Sequence, residues 1–189
     1  MAAPPAPPLI LASTSPRRRE ILEQLGIPFD VVVPHYEETS GDPVEHALGK
    51  ARSVGSFGDQ PVLGCDTEVL CDGRVFGKAE TVGEAEEMLD SLSGKTHEVV
   101  SGLALLTPAW EEVHREVTQV TFRALTPRDL ARYVATGEWE GRAGAYAIQG
   151  LGASLVERIE GDYLNVVGLP AATLVRLLAE RFAGAYGFG

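Results

Sequence analysis

The stretch Pro61–Cys71, PVLGCDTEVLC, constrains this chain most: it reads as a largely apolar strand with an aspartate, Asp66, near its middle. Aspartate is depleted in strands, and a buried carboxylate needs a partner or a metal. Alternation along the strand places Asp66 and Glu68 on one face, where two carboxylates would hold a hard cation through oxygen ligands. The competing reading is a solvated face, or one acid paired with Lys78. Asp72-Gly73 directly afterwards signals a hairpin into Arg74–Lys78.

Further elements fall on both sides. Leu9–Ala12 is a short buried strand that runs into Ser13-Thr14-Ser15 and a helix opened by Pro16, with Ser15 placed to cap it. Gly26 and Pro28 end that helix, and Phe29–Val33 follows as a strand. Pro43–Gly55 reads as a helix carrying Lys50. Thr81-Val82-Gly83-Glu84 is a capping box, with Ala85, Met88, Leu89 and Leu92 as the apolar stripe behind it. Strands are expected at His97–Leu106 and Glu116–Ala124, and a helix opens at Thr126-Pro127 and closes at Gly137. Gly141–Gly152 is a glycine-rich loop, Ser154–Glu160 and Tyr163–Val167 pair as a second hairpin, and Pro170–Phe182 is an amphipathic helix. Strands and helices are intermixed throughout, so the class is α/β with a mixed sheet.

A chain of 189 residues makes one domain, or two small lobes sharing a cleft. We expect residues 1–8 (MAAPPAPP) to be a disordered leader, 9–182 the folded domain and 183–189 a flexible tail. No apolar stretch reaches the ~18 residues of a membrane helix, and the leader lacks the pattern of a secretory signal. A net charge of −11 repels nucleic-acid backbones, which argues against a polymer partner. Cys65 and Cys71 on one strand lie about 20 Å apart at ~3.3 Å per residue, beyond disulfide reach. Free thiols fit a reducing cytoplasm.

In so acidic a chain, clustered cations are informative. Arg17, Arg18 and Arg19 stand at a helix start, where the helix dipole favours acids. Unpaired amides, small hydroxyl residues and guanidiniums together describe an anion cradle; the alternative is a solvated face paired with Glu20 or Glu23. Lys50 and Lys78 are lone lysines with no signal of their own. In the glycine-rich loop, Gln149 has an amide suited to reading a base edge, although a structural turn explains the same glycines. Gly94-Lys95-Thr96 fails as a P-loop, because Leu89 stands where the first glycine belongs and a helix precedes it. His35, His46, His97 and His114 are scattered and read as structural or surface residues.

Ser13-x-Ser15-Pro16-Arg17-Arg18, Gly64-Cys65-Asp66-Thr67, Phe76-Gly77-Lys78, Leu92–His97, Ala143–Gly150 and Val156–Tyr163 running to Pro170 stand in one order along the chain. In these blocks the chain resembles the Maf family. The resemblance implies a two-lobed α/β fold similar to inosine triphosphatases, a homodimer, and a nucleoside triphosphate pyrophosphatase that cuts between the α- and β-phosphates. Ser-Pro-Arg-Arg, Asp-Thr and Ala-Tyr-x-Ile-Gln look like the branch that hydrolyses dTTP and UTP. It further implies Asp66 as general base, Arg17, Thr67 and Gln149 in substrate choice, and Glu38, Lys50 and Lys78 around the triphosphate. Ser13 and Arg18 belong to the phosphate-gripping motif. A divalent cation, Mg²⁺ or Mn²⁺, would be held by Glu38 and Asp66, with Glu37 exchanging for Glu38 on a one-residue shift. Ala79 and Gly49 depart from the usual proline and charged residue. The alternatives are a regulatory nucleotide-binding protein, from the family's link to septum formation, or the same chemistry on 7-methyl-GTP or other modified nucleotides.

Overall fold

The structure, a computed structural model, describes residues 6–55 and 58–189. The first five residues of the expected leader lie outside the described residues. Two compact units emerge: up to Asp66 with Ser101–Glu116 and Gly168–Gly189, and Thr67–Val100 with Val117–Val167. Among the described residues the strands are β1 (Leu9–Ala12), β2 (Phe29–Val32), β3 (Val62–Cys71), β4 (Arg74–Phe76), β5 (Thr96–Leu106), β6 (Glu111–Phe122) and β7 (Val156–Glu160). They form one mixed sheet in the order β2-β1-β3-β5-β6-β7, with β4 paired to β3. The helices are α1 (Pro16–Gln24), α2 (Pro43–Ser53), α3 (Val82–Leu92), α4 (Pro127–Val134), α5 (Tyr163–Val167) and α6 (Ala171–Phe182). The α/β class with a mixed sheet is therefore as expected, and no described helix is long and apolar enough to cross a membrane.

In the first unit β1 lies between two parallel partners, Leu9 opposite Phe29 and Ile10 opposite Val62. All four of its residues are buried, as a parallel strand covered on both faces requires. Helix α2 lays Ala47 and Ala51 into a cluster with Ile10, Ala12, Val62, Ala104 and Leu106. The approach is close because Gly64 has no side chain: a Cβ there would collide with the Ala47 carbonyl oxygen and the Ala51 Cβ. The Asp42 carboxylate caps α2 by accepting from the Val44 N–H at 3.0 Å. Strand β6 begins five residues before the expected Glu116. A Thr107–Trp110 turn closes the hairpin from β5, and the charged start of β6 offers no apolar run to detect. Past α6, Tyr186 packs edge-on against Phe182 and donates to the Pro7 carbonyl.

In the second unit the β3–β4 hairpin turns on Asp72 and Gly73, both at positive φ (51° and 75°), as its two-residue turn demands. Thr126 and Asp129 form a full capping box on α4. Arg123 reaches the same Asp129 carboxylate with two nitrogens and, with the Thr126 donors, holds it far below the usual carboxylate range. At α3 the box is redirected: Thr81 accepts from the Glu84 N–H, but the Glu84 carboxylate bonds the Glu80 N–H rather than that of Thr81.

The second hairpin is a correction. β7 pairs antiparallel with β6, Val120 opposite Ile159, but Tyr163–Val167 is the helix α5. The Thr118 hydroxyl holds Asp162 by accepting from its N–H and donating to its carbonyl, and the Asp162 carboxylate accepts from Leu164 N–H. The buried Asn165 donates to Val99 O and Thr118 Oγ1. These contacts override the strand propensity of a Tyr-Leu-Asn-Val-Val run.

The second unit's core makes stability depend on acid. His97 Nε2 shares a hydrogen bond of 2.9 Å with the Tyr146 hydroxyl, with Phe122 edge-on, and Nδ1 has no hydrogen-bond partner among the described residues. Burial lowers the His97 pKa from 6.5 to about 4. The folded protein therefore refuses a proton that the unfolded chain accepts, so stability is lost as pH falls from about 6.5 towards 4 and levels off below. The difference corresponds to about 3 kcal/mol. Chemical denaturation at a series of pH values should show this loss, and His97→Leu should flatten it.

Candidate active site

Helix α2 presents His46 and Lys50, four residues apart and so on one face, and its seat over Gly64 brings that face against β3. Asp66, only 9% exposed, receives both side chains. Lys50 Nζ donates to Asp66 Oδ1 at 2.5 Å, and His46 Nδ1 lies 3.2 Å from Asp66 Oδ2. The ammonium also meets Glu38 Oε1 at 2.5 Å, so one cation bridges two carboxylates. His46, 2% exposed, closes on the other side with Nε2 at 3.3 Å from the Ser40 hydroxyl. That hydroxyl accepts from the Asp42 N–H, which ties the segment before α2 to the site.

Such an arrangement assembles negative charge where a cation rests. One donor atom each from Glu38, His46 and Asp66 lie within 4.8 Å of one another. The carboxylate oxygens of Glu38 and Asp66 suit a divalent ion of the Mg²⁺ to Mn²⁺ kind, and the Lys50 ammonium that bridges them already occupies such a position. The residues therefore fit a divalent cation. Glu38, not the adjacent Glu37, is the carboxylate in this group.

At the start of α1 the side chains turn inward. Ser13 Oγ accepts from the Ser15 N–H and from Arg18 NH1, while Ser15 supplies no side-chain cap. Arg18 is buried, and its Nε donates to the Gly168 carbonyl at 2.8 Å. The Cys65 thiol, next to Asp66, points to the same carbonyl. Arg17 is half-buried.

The remaining candidates belong to the second unit. Thr67 follows Asp66 along β3 and is half-buried. Lys78 is exposed, its backbone bridged to Ala143, and the Gly144 N–H donates to the Phe76 and Gly77 carbonyls. Gln149 is exposed at the start of a 3-10 turn, Gly150–Leu155, whose Leu151 and Gly152 amides donate to the Glu138 carboxylate. The glycine-rich loop is thus held by an acid outside it.

The structure gathers Asp66, Lys50 and Glu38 in one cluster and ties Ser13 to Arg18. The sequence reading left His46 outside the chemistry, although its i,i+4 spacing from Lys50 was the available signal. The family described as "Maf-like protein" matches residues 8–181. The dTTP/UTP pyrophosphatase of Moorella thermoacetica is 50% identical over 181 residues, 90% of this chain and 93% of that protein. That of Bacillus cytotoxicus is 48% identical over 184 residues, 93% and 96% of the two chains. That of Deinococcus radiodurans is 45% identical over 196 residues and all of both.

Proposed function

The chain belongs to the Maf-like protein family, and on that premise we propose that it hydrolyses dTTP and UTP to the nucleoside monophosphate and pyrophosphate. The observation that carries this reading is the Asp66 carboxylate fixed on both oxygens inside β3. Water attacks the α-phosphorus, the bond to the β-phosphate breaks, and Asp66 takes the water's proton. Lys50 and Lys78 offset the charge that gathers on the departing pyrophosphate. Arg17 and the amides at the start of α1 draw in the phosphates, and Ser13 and Arg18 hold that turn in shape. Opposite charges at ~4 Å attract by about 4 kcal/mol at an effective dielectric of ~20, so local cations outweigh the repulsion of an acidic chain.

Glu38 and Asp66 would hold Mg²⁺ or Mn²⁺, which when bound neutralises phosphate charge and acidifies a bound water. Thr67 and Gln149 choose the base. We place the enzyme in the cytoplasm as a homodimer; its two buried free thiols, Cys65 and Cys71, fit a reducing compartment.

The test is a panel of nucleoside triphosphates with Mg²⁺ or Mn²⁺ and identified products. Monophosphate plus pyrophosphate from dTTP and UTP supports the reading. Turnover confined to altered bases changes the substrate, and binding without turnover replaces catalysis with a regulatory role. Gln149→Ala should narrow the ratio of kcat/KM between pyrimidine and purine triphosphates by roughly tenfold, as expected for loss of a hydrogen-bonded base contact. An unchanged profile would remove Gln149 from base recognition.

A further inference from the structure

We infer that His46 is a positioning residue for Asp66: it donates Nδ1–H to Asp66 Oδ2, and the Ser40 hydroxyl fixes the tautomer that makes this possible. The inference rests on the pyrophosphatase reading and goes beyond it. The contact is 3.2 Å between a buried imidazole and a buried carboxylate. A carboxylate oxygen accepts and does not donate, so the proton they share belongs to Nδ1. A neutral imidazole then has an acceptor at Nε2, and the group beside it must donate. Ser40 is suited to that, because its oxygen already accepts from the Asp42 N–H and its own proton is available for His46 at 3.3 Å. The chain of donors runs from Asp42 N–H to Ser40, His46 and Asp66.

Lys50 alone would leave Asp66 free to rotate about Oδ1. With Oδ2 held as well, the carboxylate plane is set before the nucleotide arrives. Presetting a group of this kind removes reorganisation from the reaction step. Partners of this sort are worth ~10–100-fold in activity. The effect falls on kcat rather than KM, since His46 is only 2% exposed and acts on the nucleotide through Asp66.

Nitrogen-15 NMR of the whole protein without added metal tests the tautomer, with His46 assigned by its loss in His46→Asn. The Nδ1–H form is expected. The Nε2–H form would overturn the inference, since it leaves Nδ1 as a lone pair suited to a metal ion. Kinetics with dTTP test the consequence. His46→Leu should lower kcat ~10–100-fold with KM within about threefold. His46→Asn places an amide N–H near the Nδ1 position and should restore most of the loss. Unchanged kcat in His46→Leu, or equal impairment in both variants, would overturn positioning by hydrogen bond. Should His46→Leu fail to fold, Ser40→Ala keeps the imidazole: a shift towards Nε2–H with lower kcat supports the inference, and no change in either counts against it. A wild type that never cleaves dTTP would refute the pyrophosphatase reading instead, and the His46 tautomer would still decide the hydrogen bond.

Discussion

Asp66→Asn should lower pyrophosphate release from dTTP by ~10²–10⁴-fold while nucleotide affinity stays close to wild type. The substitution keeps the size of the side chain and removes its ability to take a proton. The amide oxygen still accepts from Lys50 Nζ, and the amide nitrogen faces His46 Nδ1 where a carboxylate oxygen stood. His46 answers by moving its proton to Nε2, so the buried contact survives with its polarity reversed. The loss then belongs to the proton transfer, and single-turnover product formation together with equilibrium dTTP binding separates the two. A folded Asp66→Asn protein with more than about a tenth of wild-type turnover would remove Asp66 as the base.

Gly64→Val should cost about 3 kcal/mol or more, because an isopropyl group at this position meets backbone rather than a yielding side-chain tip. The Ala47 carbonyl oxygen and the Ala51 Cβ and N all lie inside the space a Cβ would need. Relief requires α2 to lift off β3, which withdraws Lys50 and His46 from Asp66. In a chain of this size the midpoint of thermal unfolding should fall by roughly 6–12 °C, and kcat should fall with it. Gly83→Ala is the control: nothing lies near its added Cβ, and in the first turn of α3 it should be neutral or mildly stabilising. Equal unfolding midpoints for Gly64→Val and wild type would show that the α2 contact is not tight.

The same seat of α2 explains what was legible and what was not. Asp66 stood out because a carboxylate in an apolar strand is a local contradiction, visible without any tertiary information. The start of α4 at Thr126-Pro127 and the Asp72-Gly73 turn were legible for the same reason, since each is settled within four residues. His46 was not. Its meaning lies 20 residues away in Asp66 and depends on Gly64 letting a helix approach a strand. Arg18 read as part of an anion cradle, with a solvated face as the alternative, yet it is buried and its Nε donates to a carbonyl 150 residues further on. For α5, Tyr-Leu-Asn-Val-Val carries strand propensity, and only the docking of Asn165 and Asp162 on Thr118 decides otherwise.

Three strands, β3, β5 and β6, each begin in one unit and end in the other. During synthesis the second unit, closed by Val167, has all its residues before the first has its last segment, Gly168–Gly189. At ~5–20 residues per second, the 150 residues between Arg18 and its Gly168 acceptor take on the order of ten seconds to appear. Through that interval the Arg18 guanidinium lacks its Gly168 carbonyl, although both strands that flank β1 are already made. The older part of the nascent chain is therefore the last to settle, and a ribosome stalled before Gly168 would carry a chain whose Ser13–Arg18 turn is still unset.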